Sequence, residues 1–238
     1  MKRLAASATV ALLLGGCASF SPDGGLTAVG ALTQERVGQA PALQRTPAEV
    51  DTARARVAEL LRQPLTADGA IELAFLNNRG LQASFAELGI AESQLVQAGR
   101  LRNPSFSFGR VREAHGVVEI ERGVMFDVLR LLTMPIAKQV EQRRFEQAQL
   151  QAAHSAVGLA SDVRRAYFLA VAAQELVAYF EQVKEAAEVS AELARRMVQA
   201  GNFNKLSQLR EQAFYADATA QLARARHQAV AERERLAR

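Results

Sequence analysis

The sequence predicts a mainly α fold in which long antiparallel coiled-coil helices carry one inserted β-hairpin, and three observations predict it. From Leu169 onward, apolar or small residues fall at Leu169, Ala173, Leu176, Phe180, Val183, Ala187, Ser190, Ala194 and Met197, alternating steps of four and three. That spacing is the a/d seam of a heptad helix. Past Gly201-Asn202-Phe203-Asn204 the rhythm returns at Leu206, Leu209, Ala213, Ala216, Ala220 and Ala223, so the chain reverses into a second helix whose small seam residues allow close approach. The third observation is a single stretch, between Pro104 and Leu129, where the apolar period drops to two. The helical hairpin is placed at 137–238, with no proline inside it. At 1.5 Å per residue, Ala137 to Gln199 makes a rod of roughly 95 Å, too long for the core of an ordinary globule.

The first residues predict the compartment. Lys2-Arg3 form a basic n-region, Leu4 to Leu14 an apolar h-region too short to span a membrane as a stable helix, and Gly15-Gly16 the small residues before cleavage, which makes 1–16 a signal peptide. Cys17, the one cysteine of the chain, follows directly and has no thiol with which to form an internal disulfide. Leu14-Gly15-Gly16-Cys17 resembles the lipobox of bacterial lipoproteins, where the thiol is acylated (a palmitate-type anchor) and becomes the new N-terminus. An ordinary secretory leader with an incidental cysteine is the alternative. Ala18, at the position where an inner-membrane retention signal resembles Asp, points to the outer membrane. Of 29 Lys and Arg, Lys2 and Arg3 leave with such a leader, so 27 face 25 acids, interspersed along helical faces. A balanced, mixed surface gives no reason to expect a nucleic-acid partner.

Residues 17–64 read as a lipidated tether with one short helix. Ala18 to about Arg45 mix Ser, Pro, Gly and Thr without period. Thr46-Pro47-Ala48-Glu49 then has capping-box form, opening a helix that Pro64 stops. Helices are expected over 66–100. Thr66 caps the first, which carries Ile71, Leu73, Ala74 and Phe75 until Asn77-Asn78 break it. The next places Leu81, Leu88 and Leu95 seven apart, with Ser84, Ala91 and Ala98 between them, until Asn103-Pro104 ends it.

The β-hairpin is expected at 104–129. Ser105-Phe106-Ser107-Phe108 alternates, and after the turn Glu113-Ala114-His115-Gly116 the alternation resumes. Val118, Ile120, Val124, Phe126 and Val128 take one side, Glu119, Glu121, Gly123 and Asp127 the other, and Arg122 breaks the apolar row. Apolar-out, charged-in runs of this length match a transmembrane β-barrel strand pair. A soluble hairpin lying on a core gives the same pattern, but long rods on either side supply no obvious core for it. On the membrane reading, Glu119, Glu121 and Asp127 face the lumen, where acids favour cations. Solvated strand faces commonly carry acids as well.

No catalytic constellation is present, and neither a metal site nor a cofactor is expected. His115, His154 and His227 are scattered, without paired ligand spacing or a phosphate loop, so an enzyme is the least favoured reading. The turn Gly201, Asn202, Phe203, Asn204 and Lys205 is more distinctive. Its phenylalanine is either a docking contact or a cap on its own seam beside Met197 or Leu206.

Several segments in order carry a family resemblance. Residues 65–78, LTADGAIELAFLNN, are similar to the opening helix of TolC-family outer-membrane efflux proteins. Ala86-Glu87-Leu88-Gly89-Ile90-Ala91-Glu92, followed by residues 97–105, QAGRLRNPS, looks like that family's second helix running into its first strand. Arg195-Arg196-Met197-Val198-Gln199-Ala200-Gly201 looks like the end of its long periplasmic helix. The resemblance implies an efflux-protein domain over 65–238. In that family, three copies form one conduit, with a β-barrel in outer-membrane lipid and an α-barrel crossing the periplasm. Its partners are a periplasmic adaptor, met at the tip 201–205, and an inner-membrane pump. Substrates pass through unchanged. The family's duplicated halves are represented here by the first alone: 63 residues from Ala137 to Gln199 face 34 from Lys205 to Arg238. The chain therefore reads as a truncated product, not competent alone. The alternative is a periplasmic coiled-coil scaffold or adaptor lipoprotein without a pore.

Overall fold

The computed structural model describes residues 20–112 and 118–238. The signal peptide 1–16, Cys17, and the turn that holds His115 lie outside the described residues. The fold is mainly helical with one small antiparallel sheet. In order it comprises α1 (Leu26–Val37), α2 (Pro47–Leu60), α3 (Ala67–Asn77), α4 (Arg79–Ala98), β1 (Ser105–Arg112), β2 (Val118–Met125), α5 (Val128–Gln199) and α6 (Lys205–Ala237). The expected helices over 66–100 are α3 and α4, separated at Asn78, whose side chain caps α4 by accepting from the Leu81 amide at 2.9 Å. Thr66 accepts from the Gly69 amide at 3.0 Å and so starts α3. The capping box before α2 forms reciprocally: Glu49 N donates to Thr46 Oγ1 at 3.3 Å, and Thr46 N to Glu49 Oε2 at 2.9 Å.

Two expectations about element boundaries are corrected. The aperiodic stretch before Arg45 contains α1, which buries Val29 and Thr33 completely. Its inward row, Leu26, Val29, Gly30, Thr33 and Val37, mixes apolar residues with glycine and threonine and so does not stand out as an apolar period. The helical hairpin starts at Val128, not Ala137, and α5 runs for 72 residues with Pro135 inside it. Asp127 makes this start possible by accepting from the Arg130 amide at 2.9 Å. A proline in the second helical turn removes one backbone bond but does not stop a helix held by its neighbours.

The chain divides into two compact units. The first takes the described part of Met1–Glu49 together with Asn78–Val157. Its buried side chains come from α1 (Val29, Thr33), α4 (Leu81, Phe85, Leu88, Val96) and the early part of α5 (Phe145, Ala152, Ala153, Ala156). The segment entering α1 is tied down from several sides. Glu92, itself buried, accepts from both the amide and the hydroxyl of Ser21 at 2.5 Å, Arg45 donates to the carbonyl of Asp23 at 2.7 Å, and Gln149 donates to that of Gly25 at 3.2 Å. Gly25 has φ 79°, and a Cβ there would lie 2.5 Å from the Phe145 ring, so a side chain would both strain the backbone and collide with α5.

The second unit takes Val50–Asn77 and Gly158–Arg238. Here Arg56 bridges α2 to Glu72 on α3 at 2.6 Å, and Tyr167 on α5 donates to the carbonyl of Leu65 at 2.9 Å. The remainder is the antiparallel pair of α6 and the later part of α5. Along α5 the heptad positions Phe180, Val183, Ala187, Ser190, Ala194 and Met197 are each buried or half-buried, with Lys184, Ala191, Glu192 and Val198 half-buried beside them. Nearer the start of this stretch Ala173 and Val177 are buried while Leu169 and Leu176 are exposed.

The seam on α6 departs from expectation throughout. The positions turned toward α5 are Gln208, Glu211, Tyr215, Ala218, Leu222, Ala225, Ala229 and Glu232, again in threes and fours, whereas Leu206, Leu209, Ala213, Ala216, Ala220 and Ala223 are exposed. The inward row wins because it pairs with what α5 offers. Leu222 and Ala225 form a cluster with Val177, against which Phe180 and Ala229 pack. Ser190 donates to Glu211 at 2.7 Å, Arg226 to Glu181 at 2.8 Å, and the Lys184 ammonium sits 5.7 Å from the Tyr215 ring centroid.

Candidate functional site

Three features of the sequence reading concern function: the faces of the β-hairpin, the turn between α5 and α6, and the outer face of α6. The hairpin and the turn belong to different units.

In the hairpin, Phe106 pairs with Val124, Phe108 with Arg122 and Arg110 with Ile120, while Ser107 pairs with Gly123 and Gly109 with Glu121. Residues paired across an antiparallel ladder share a face. One face therefore carries Phe106, Phe108, Ile120, Val124 and Val118, together with Arg110 and Arg122. The other carries Ser105, Ser107, Gly109, Glu119 and Glu121. The expected segregation of Glu119 and Glu121 from the apolar residues is present, and all of these side chains are exposed apart from the half-buried Gly109. Asp127 does not join the two glutamates. It follows the end of β2 and caps α5, so its carboxylate serves the helix terminus and the strand-face expectation for it is corrected. Arg110 on the apolar face is a residue the sequence reading passed over, although parity with Phe106 and Phe108 marks it.

The turn 201–205 is a complete helix-stop and helix-start. Asn202 N donates to the Met197 carbonyl at 2.9 Å and Gly201 N to that of Val198 at 3.0 Å, the paired bonds of a Schellman motif, with Gly201 at φ 77°. Asn204 then caps α6 by accepting from the Ser207 amide at 2.8 Å, and Lys205 donates to Gln208 at 3.0 Å. Gly201, Asn204 and Lys205 thus have structural duties of their own, and Asn202 contributes its backbone. Phe203 is half-buried. Just before the turn, a shallow groove of about 760 Å³ is lined by Val189, Glu192, Leu193, Arg195, Arg196 and Tyr215. Hydrogen bonds from Arg195 and Arg196 hold the Glu192 carboxyl down at about 2, so this wall of the groove stays ionised.

The outer face of α6 is an open apolar row. Leu206 is 60% exposed and Leu209 50%, and the alanines continue their line at heptad spacing. From Leu206 to Ala223 α6 thus carries two parallel rows, one facing α5 and one exposed. Among the described residues there is no cluster of His, Cys, Asp or Glu able to hold a metal, and no helix long and apolar enough to cross a membrane. His154 is on α5 in the first unit and His227 on α6 in the second. No family model matches the chain, and no curated protein matches it.

Proposed function

We propose that the chain is the N-terminal half of a TolC-type outer-membrane efflux conduit, a lipoprotein whose helices stand in the periplasm and whose β-hairpin contributes to an outer-membrane barrel. It is a passive path for exported small molecules or ions and not an enzyme. The observation that carries this reading is the second row on α6. A helix that satisfies one heptad row within its own chain and leaves another open is built to be flanked on both sides, as a stave in a closed ring of helices is. The hairpin supports it by segregating Phe106, Phe108, Ile120 and Val124 from Glu119 and Glu121, which suits a wall between lipid and water. In the assembled state, three copies of the complete protein close the ring, an adaptor meets the turn 201–205, and an inner-membrane pump supplies the cargo. Cys17, acylated, holds the chain at the outer membrane.

Cross-linking tests this. With a cysteine at Ala216, a short bismaleimide applied to intact membranes is expected to join copies of the chain, while a cysteine at Ala218, which α5 covers, stays unmodified. Monomers alone from both positions would remove the conduit.

One observation favours the second reading, a periplasmic coiled-coil scaffold or adaptor lipoprotein without a pore. Arg110 and Arg122 stand on the apolar face of the hairpin, and a cation facing lipid at the bilayer midplane costs about 2–4 kcal/mol. A scaffold predicts that the hairpin is protected by protein and that α6 captures a different polypeptide.

A further inference from the structure

The exposed apolar surface of the first unit does not end with the hairpin. It continues into the first three turns of α5, where Val128, Leu129, Leu132, Ile136 and Val140 are exposed, Leu132 to 72%. Spaced by threes and fours, they lie on one side of the helix. The other side faces the protein: Met134, Ala137 and Glu141 are half-buried and Phe145 is buried. Beyond Val140 the outward positions become Gln142, Arg143, Arg144 and Gln147, so the apolar row is confined to the turns adjoining the strands. Phe126, also exposed, stands between Val124 and the start of α5. A patch of this extent in water is a binding surface.

Its charge identifies the partner. Val128 to Val140 contains no acid, and the hairpin's glutamates lie on the opposite face from Phe106 and Val124. Exposed Arg102, Arg110 and Arg122 make no ion pair with any described residue. An apolar patch whose charges are mostly cations, with the one acid at its centre, Asp127, engaged in capping α5, is poorly suited to a second copy of itself, since a two-fold contact would set like charges against each other. It does suit a surface of anionic headgroups over hydrocarbon. Pro135 fixes the depth. Lacking an N–H, it leaves the Leu131 carbonyl without its helical partner, which water can satisfy at an interface and hydrocarbon cannot.

We infer that the start of α5, with the apolar face of the hairpin, is an interfacial platform that lies on an anionic phospholipid surface, Leu129, Leu132 and Ile136 reaching the acyl boundary and Arg110 and Arg122 meeting phosphates. The inference rests on the membrane-associated part of the reading above and not on the ring of helices, so it stands or falls separately from cross-linking at α6. It also gives Arg110 and Arg122 a place at headgroup level, without burial at the midplane.

Depth-dependent quenching tests it. The full chain carries Cys17→Ser and a single bimane-labelled cysteine at Leu132, Ile136 or Gln147, and is mixed with phosphatidylcholine vesicles with or without phosphatidylglycerol, containing lipids brominated at shallow or deep acyl positions. Labels at Leu132 and Ile136 are expected to be quenched, more by shallow bromines than by deep ones and only on the anionic vesicles, with Gln147 unquenched. Arg110→Gln and Arg122→Gln each raise the vesicle concentration for half-maximal quenching about fivefold. Absence of quenching at Leu132, equal quenching at Gln147, deep quenching exceeding shallow, or burial of the label by self-association without lipid would each overturn the inference.

Discussion

Gly201 is the residue on which the reversal of the helices turns. Its φ of 77° lies in the left-handed region, and open space surrounds the position of a Cβ. Gly201→Ala therefore strains the backbone without a collision and is expected to cost about 1–2 kcal/mol, read as a lowered Tm. Asn204→Ala removes the cap on α6 and is expected to cost about 1 kcal/mol by the same measurement. Phe203→Ala separates docking from packing: a packing role lowers Tm, and a docking role weakens adaptor cross-linking at constant Tm. Asp23 offers a test by pH. Hydrogen bonds from Thr27, then from the Gly25 amide, hold its carboxyl well below the usual carboxylate range. A depressed folded-state pKa contributes stability above the unfolded value and loses it as pH falls through the folded one. The Tm difference between the wild type and Asp23→Ala is accordingly expected to be constant near neutrality and to shrink steadily below about pH 4.

At the scale of elements, the two rows of α6 explain both what was legible and what was not. Heptad spacing correctly marks α5 and α6 as long helices reversing at 201–204, and period two marks the hairpin and its segregated faces. Apolarity alone then selects the wrong row on α6, because Leu206, Leu209 and four alanines are more hydrophobic than a seam containing Gln208, Glu211, Tyr215 and Glu232. Glu211 and Tyr215 find partners on α5 that no one-dimensional pattern displays, Ser190 and Lys184, while Gln208 and Glu232 bond to neighbours on α6 itself. α1 escapes for a related reason, since its fixation by Glu92, Arg45 and Gln149 joins residues distant in sequence. Asp127 fits strand parity and helix capping equally well, and only the backbone decides between them. The seam assignment predicts unequal costs. Leu222→Ala should lower stability by about 2–5 kcal/mol, whereas Leu209→Ala in the unassembled chain should change it by less than about 0.5 kcal/mol.

For the whole molecule, each unit satisfies its own interior and leaves a face that water does not suit. In one unit it is the apolar side of the hairpin continuing into α5, and in the other the outer row of α6. Their chemistry differs. The first is apolar with unpaired cations, fitting a lipid surface, and the second is a heptad row of leucine and alanine, fitting another helix. Of the candidate functional residues, the sequence reading separates Glu119 and Glu121 from the apolar strand face and locates the turn, in which Gly201, Asn202 and Asn204 also make the bonds that reverse the chain. The central claim is that α6 is flanked on both sides in an assembly of like chains. Sedimentation of the detergent-extracted full chain, beside a Leu209→Asp/Ala216→Asp variant, tests it most directly. The account predicts a multi-copy species for the wild type and a monomer for the variant with unchanged Tm. A wild-type monomer, or an assembly indifferent to both charges, would contradict it.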